Sequence, residues 1–259
     1  MKVSEVMVKD VITIDKDVDL THVLNLMKKH NITKIPVLEE KQLIGLITDN
    51  TIAYKLGSIR KRGVPPSRLH ASSVTDKEIN CITADTEVKT ILKTVGKPGP
   101  TMLCVTDNKH LIGVITKADL LHMVNSKKNL RQIMNKKILT VSPDDRVVHA
   151  RRVMINEKIA RLPVLDHGKL VGLISDNEIA FAFAEVKKSI TLGHQKHYLD
   201  ELLVSDVMKT PAIWTNPNMT ASDAATIMLD KNIGALPVLE NDKLIGIVSR
   251  TDLLNTIPR

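Results

Sequence analysis

Apolar positions along this chain switch between two spacings, and the switch recurs. Leu20, Val23, Leu24 and Met27 fall three and four residues apart, which predicts a helix with one buried face. Two short apolar runs follow, "IPVL" from Ile35 and "LIGLIT" from Leu43, separated by the polar "EEKQ", and this reads as a β-hairpin. Near the C-terminus the same succession returns, with Ala221, Ala224, Ala225 and Met228 on the helical stripe and "LIGIVS" from Leu244 as the second strand. In all, the second strand occurs four times, with Gly45, Gly113, Gly172 and Gly246 as common anchors. Nine residues before the glycine stand Pro36, Pro163 and Pro237, and eighteen before it stand Met27, Met154 and Met228. The second copy diverges, with Cys104 in place of proline and no matching methionine.

Beyond each second strand lies another helical stretch such as "DLLHMV" from Asp119. The unit predicted is a short strand, a helix, a hairpin and a second helix, about 55 to 60 residues in all, too small to cover its sheet alone. Such units are expected to pair. The repeats are drawn at 1–60, 73–126, 127–187 and 201–259, forming two tandem modules of 1–126 and 127–259. The basic segments "SIRKRGVPPSRLHASS" and "KKSITLGHQKHYLDE" separate repeats one from two and three from four.

Composition narrows the class. With 43% apolar and 25% charged residues the chain is globular, and at 2% aromatic its core is aliphatic, with too few rings for base stacking. The formal charge of +8 favours anionic partners. Two cysteines, Cys81 and Cys104, support neither a disulfide framework nor a thiolate zinc site. The N-terminus lacks the apolar stretch of a signal peptide and no run is long enough for a membrane span, so a cytoplasmic location is expected. His194 and His197 have helical spacing but no further ligand nearby, and no metal is assigned. No phosphate loop, dinucleotide fingerprint or nucleophile triad is found, and no enzyme is expected.

Each second strand ends in a Ser or Thr followed three residues later by a side chain able to cap a helix: Thr48 with Thr51, Thr116 with Asp119, Ser175 with Glu178 and Ser249 with Asp252. A capping box alone accounts for that spacing. The "PVL" strand, the "LIG" strand running into Ser or Thr and then Asp, and the "VSDVM" lead-in at Val204 together resemble the CBS domain. The resemblance covers nearly the whole chain and implies an α/β fold of four β-α-β-β-α repeats paired into two Bateman modules, arranged as a flat disc. Four such repeats in one chain are similar to the gamma subunit of AMP-activated kinase and to stand-alone microbial regulators.

By that resemblance, the Asp of a full pair holds ribose hydroxyls and the Ser or Thr helps hold phosphate at a helix start. Only the even repeats carry the full pair, in Thr116 with Asp119 and Ser249 with Asp252. The odd repeats carry Lys34 and Arg161 two residues before "PV", where the even ones have Met102 and Ala235; the resemblance directs these cations at phosphate. Two composite sites are implied, Lys34 facing Asp119 and Arg161 facing Asp252. Ile32, Thr33, Ile159 and Ala160 would line adenine, and Lys117 and Arg250 would add phosphate contacts or lie solvated at the helix start. The pockets at Thr48/Thr51 and Ser175/Glu178 are expected to be empty or weak. The implied ligand is an adenine nucleotide, AMP, ADP or ATP, with S-adenosylmethionine a weaker candidate, and the implied role is regulation of an unidentified protein partner. Two other readings stay open: a nucleic-acid or ribosome-binding protein acting through its basic segments, and a scaffold whose caps bind nothing. A homodimer is a further expectation of the fold.

Overall fold

The computed structural model describes residues 1–57, 64–97, 102–189 and 194–258. Parts of the two basic connecting segments, 58–63 and 190–193, lie outside them, so the basic-segment reading is not addressed by the fold. Repeat one contains β1 (Ile14–Asp15), α1 (Leu20–His30), β2 (Lys34–Glu39), β3 (Gln42–Thr48) and α2 (Asp49–Leu56). Repeat two contains β4 (Cys81–Ile82), α3 (Val88–Val95), β5 (Met102–Asp107), β6 (His110–Thr116) and α4 (Lys117–Leu120). After a lead-in helix α5 (Leu130–Ile133), repeat three contains α6 (Val147–Glu157), β7 (Arg161–Asp166), β8 (Lys169–Ser175) and α7 (Asp176–Ser189). Following α8 (Gln195–Glu201), repeat four contains α9 (Ala221–Asp230), β9 (Ala235–Glu240), β10 (Lys243–Ser249) and α10 (Arg250–Leu254).

Local chemistry sets these boundaries. Asp19 caps α1 by accepting from Thr21 and His22 N–H at 2.8 and 3.1 Å, and Asn31 ends it in the left-handed region. The stripe Leu20, Val23, Leu24 and Met27 is buried, as is Ala221, Ala224, Ala225 and Met228 in α9. All four hairpins turn on two consecutive residues of positive φ: Glu40 and Lys41, Asn108 and Lys109, His167 and Gly168, Asn241 and Asp242. That backbone twists with the strands it joins. The short opening strands of repeats three and four shrink to single parallel bridges, Val141 to Val164 and Thr215 to Val238. The predicted second helix of repeat two is also shorter than its sequence suggests, since α4 gives way to a 3-10 turn at Leu121–Met123.

No repeat keeps its own lead-in. Residues 2 to 8 bridge to Glu87 and Val114 of repeat two, while His70 and Asp76 bridge back to Asp19 and Leu46 of repeat one. Repeats three and four exchange lead-ins likewise, through Asn129 with Thr220, Asn135 with Ile247, Leu203 with Arg146 and Lys209 with Leu173. The anchor glycines lie beneath these crossings. A Cβ on Gly172 would fall 2.5 Å from Met208 Sδ, on Gly113 it would fall 2.7 Å from Met7 Sδ, and on Gly246 it would collide with Met134.

Repeats one and two join edge to edge in a six-stranded sheet, ordered β1-β2-β3-β6-β5-β4, through Gln42 opposite His110. The apolar cores run the other way. One core unites repeats one and three, with Ile52, Ala53 and Leu56 of α2 in the same cluster as Ile179, Ala180 and Phe183 of α7. The other unites repeats two and four, with Leu120 and Leu121 clustered with Leu253 and Leu254. Pairing within a module thus satisfies lead-ins, and in the first module a sheet edge as well, whereas pairing between modules buries the helices.

Gly45→Ala tests the lead-in exchange. Its Cβ would lie 2.5 Å from the Asp76 carbonyl oxygen and would collide with Thr75, so backbone must move and the paired Leu46 and Asp76 hydrogen bonds, both 2.9 Å, must weaken. Urea unfolding should show a loss of about 1–3 kcal/mol. The loss in Gly172→Ala should be smaller, since the thioether of Met208 can swing aside. Unchanged stability in Gly45→Ala would contradict the packing.

Candidate functional site

Four strand-to-helix junctions lie where the modules meet, and those opening α2, α4 and α10 close as capping boxes. In repeat two, Asp119 Oδ2 accepts from Thr116 N at 2.6 Å and from Thr116 Oγ1 at 2.7 Å. In repeat four, Asp252 Oδ2 accepts from Ser249 N at 2.7 Å and from Ser249 Oγ at 2.6 Å. Both aspartates cap through the same oxygen, and among the described residues no donor reaches Oδ1 of either. Capping and ligand binding therefore do not compete for the same lone pairs.

The odd repeats differ in kind. Thr51 Oγ1 accepts from Thr48 N at 3.0 Å and donates to Thr48 O at 2.9 Å, and no carboxylate is present at that position. Glu178 has both oxygens engaged: Oε2 accepts from Ser175 Oγ, while Oε1 meets Asn177 Nδ2 at 3.3 Å and Lys209 Nζ at 3.3 Å.

Every repeat contributes a cation to the space between these junctions, Lys34, Lys117, Arg161 and Arg250, and repeat three adds Arg151, which acts on Asp176. Burial lowers the Lys34 pKa first; Asp49 opposes that shift, and Arg161 and Arg250 add to it. Lys117 is only 5% exposed, and burial followed by the charge of Lys34 brings it down to about 8. Its ammonium donates to Lys97 O at 2.8 Å and to Thr251 Oγ1 at 2.6 Å, so it ties repeat two to repeat four and has little capacity left for a ligand. Burial and then Arg161 lower Arg250 to about 10, and its guanidinium donates to Ile233 O and Asn232 Oδ1 at 3.2 and 3.3 Å. Arg161 crosses from repeat three onto the backbone of repeat four, where a Cβ on Gly234 would stand 2.5 Å from its Nη2. Gly234 O in turn accepts from Arg250 N at 3.2 Å, at the start of the helix that carries Asp252. The matching loop of repeat two, residues 98–101, lies outside the described residues.

Ile32 and Ile159 are partly buried against the core, and Thr33 O and Ala160 O accept from the first N–H groups of α2 and α7, at 3.0 and 3.2 Å. With four residues in α4 and five in α10, few peptide dipoles align at these two helix starts.

Three residues escaped the sequence reading. Asp49 and Asp176 occupy, in the odd repeats, the position held by Lys117 and Arg250 in the even ones. Asn50 Nδ2 donates to Asp176 Oδ2 at 3.1 Å, joining repeats one and three. The signal was present in the dipeptide Asp-Asn, which follows the cap in both odd repeats and in neither even one.

Burial drives the Asp176 carboxyl up from 3.8 to about 6. The folded chain therefore holds this proton more tightly than the unfolded chain, and stability is lost as pH rises through that window. Asp176→Asn removes the penalty and should raise stability at pH 7 by at most about 3 kcal/mol, an advantage that disappears below about pH 4. Denaturant unfolding of both proteins across that range is the check; a variant less stable at pH 7 would contradict the assignment.

Comparison with known proteins places the architecture. The CBS domain pattern matches residues 3–58, 71–126, 130–185 and 204–259. Protein MJ1404 of Methanocaldococcus jannaschii is 27% identical over 98% of this chain, which spans 61% of that protein's length. Protein MJ1225 of the same organism is 25% identical over 95% of both chains. Its crystal structure, described as that of a proposed archaeal homologue of g-AMPK, covers all of this chain with a TM-score of 0.86 at 19% identity. YhcV of Bacillus subtilis, a CBS domain-containing protein, is 30% identical over 48% of this chain and 82% of its own length. CBS domains are non-catalytic regulatory modules, and among the described residues no helix is long and apolar enough to cross a membrane. With four matched repeats covering most of its length, and with lead-ins pairing one with two and three with four, the chain belongs to the CBS-domain family as a tandem Bateman-module protein.

Proposed function

We propose that this chain senses adenine nucleotides at two composite sites, one in each module, and passes the bound state to a protein partner through the contacts between modules. The observation that carries the reading is the convergence of cations from all four repeats on a space flanked by two capping aspartates that each keep an oxygen free. Two adjacent ribose hydroxyls suit Oδ1 of Asp119 and of Asp252, and phosphate suits Lys34, Arg161 and Arg250. Ile32 with Thr33, and Ile159 with Ala160, supply the faces for adenine. S-adenosylmethionine, which offers one carboxylate in place of phosphate and carries a sulfonium cation, is the weaker ligand.

The sites would form where the four repeats close into a disc, beside the Lys117 to Thr251 and Asn50 to Asp176 bonds that join the modules. A nucleotide that neutralises the central cations then shifts the balance of those contacts, which is how binding reaches a partner. The charge of +8 favours an acidic surface on that partner.

Thermal unfolding with AMP, ADP, ATP and S-adenosylmethionine is the direct test. Ligand at about 100 times its Kd should stabilise by roughly 2.7 kcal/mol per site. Asp119→Asn and Asp252→Asn should each abolish about half of the gain, measured against their own ligand-free melting points, and Thr51→Ala should leave it intact. Gly234→Ala should displace Arg161 and weaken the repeat-four site with little effect on the ligand-free melting point, since only a side-chain tip must move. Equal losses from Asp119→Asn, Asp252→Asn and Thr51→Ala would overturn the assignment, as would no shift with any nucleotide.

A further inference from the structure

We infer that Asp49 and Asp176 set the charge class of nucleotide that the two sites accept, favouring a nucleoside monophosphate over the di- and triphosphates. The inference rests on the nucleotide reading given above and goes beyond it, since neither residue belongs to the ribose or phosphate set.

Placement carries it. Lys34 pairs with Thr48 across the first hairpin and Arg161 with Ser175 across the third, so each cation lies beside the residue that opens the following helix. The next residue is the aspartate, whose backbone N–H donates to the residue just before the cation, Asp49 to Thr33 and Asp176 to Ala160. A carboxylate is thus fixed beside each phosphate-facing cation by main-chain geometry. Asp176 is held further by Asn50 from the opposite module and is 5% exposed. The fields overlap, because both carboxylates act on Lys34 and both act on Arg161.

Charge then discriminates. Any phosphate reaching Lys34 or Arg161 must settle near the negative charges of Asp49 and Asp176, which these cations already face. The two charges of AMP experience this repulsion least, and the four charges of magnesium-free ATP experience it most. The even repeats show the converse arrangement, with Lys117 and Arg250 at the same helical position. A merely structural role for the aspartates, as acidic residues in the first helical turn, would alter melting temperature but not the ranking of nucleotides.

The test is calorimetric titration of AMP, ADP and ATP in EDTA near pH 8, where the phosphates are fully ionised, into the wild type, Asp49→Asn, Asp176→Asn and the double variant. A charge-matched control carries Asp10→Asn and Asp144→Asn, both exposed and outside the four strand-to-helix junctions. In the double variant ATP affinity should rise at least about fivefold more than AMP affinity, with part of that change in each single variant and none in the control. The single variants carry the test if the double variant fails to fold. Nucleotide binding with an unchanged ATP to AMP ratio would overturn this inference alone, and an equal change in the control would reduce it to an effect of net charge. Absence of nucleotide binding by the wild type would overturn this inference together with the reading it rests on.

Discussion

A CBS repeat cannot cover its own sheet, and this constraint determines the architecture. A unit of about 55 to 60 residues buries a smaller share of its surface than a larger domain and is marginal alone. The chain resolves this twice over, by exchanging lead-ins between neighbouring repeats and by packing the helices of one module on those of the other. The anchor glycines record the first solution: a lead-in crosses each second strand where a side chain would collide. The two cores record the second.

That packing dictates where charge must go. Helix starts from all four repeats are drawn to the junction between modules, and each brings the side chains at its cap. Lys34, Lys117, Arg161 and Arg250 are partly or wholly withdrawn from water, and for three of them a neighbouring cation adds to the effect of burial. Buried like charges are unfavourable unless something compensates them. Lys117 finds a carbonyl and a hydroxyl, Arg250 finds the loop of its own repeat, and Asp49 and Asp176 face Lys34 and Arg161. Asp252 acts on Lys117 and Asp119 on Arg250, so carboxylates and cations from all four repeats are interleaved at the junction.

Much of this was legible in the sequence, and the parts that were not share a cause. The helical stripe ending at Met27 and the hairpin around Glu40 follow from local periodicity, so they could be read directly. The fixed offsets to Gly45 and Gly172 were visible, but their reason lies in Thr75, Asp76 and Met208, which come from a different repeat. Lys117 could be read as a phosphate contact or as a solvated charge, lysine being usually exposed; its burial depends on bonds to Lys97 O and to Thr251, 134 positions away. Asp49 and Asp176 look like ordinary acidic residues of a first helical turn, and their role beside Lys34 and Arg161 depends on how modules meet. Alternation of charge between odd and even repeats was the accessible clue, followed at one position and overlooked at the other.

The central claim is that a complete site needs the aspartate of an even repeat and the cation of an odd one, so that the chain has two, and the measurement that tests it most directly is the stoichiometry of AMP binding. Equilibrium dialysis of labelled AMP against the intact chain at saturating ligand should give two molecules per chain. Four per chain would mean that Thr51 and the engaged Glu178 do not close the odd sites, and none would return the junctions to helix caps alone.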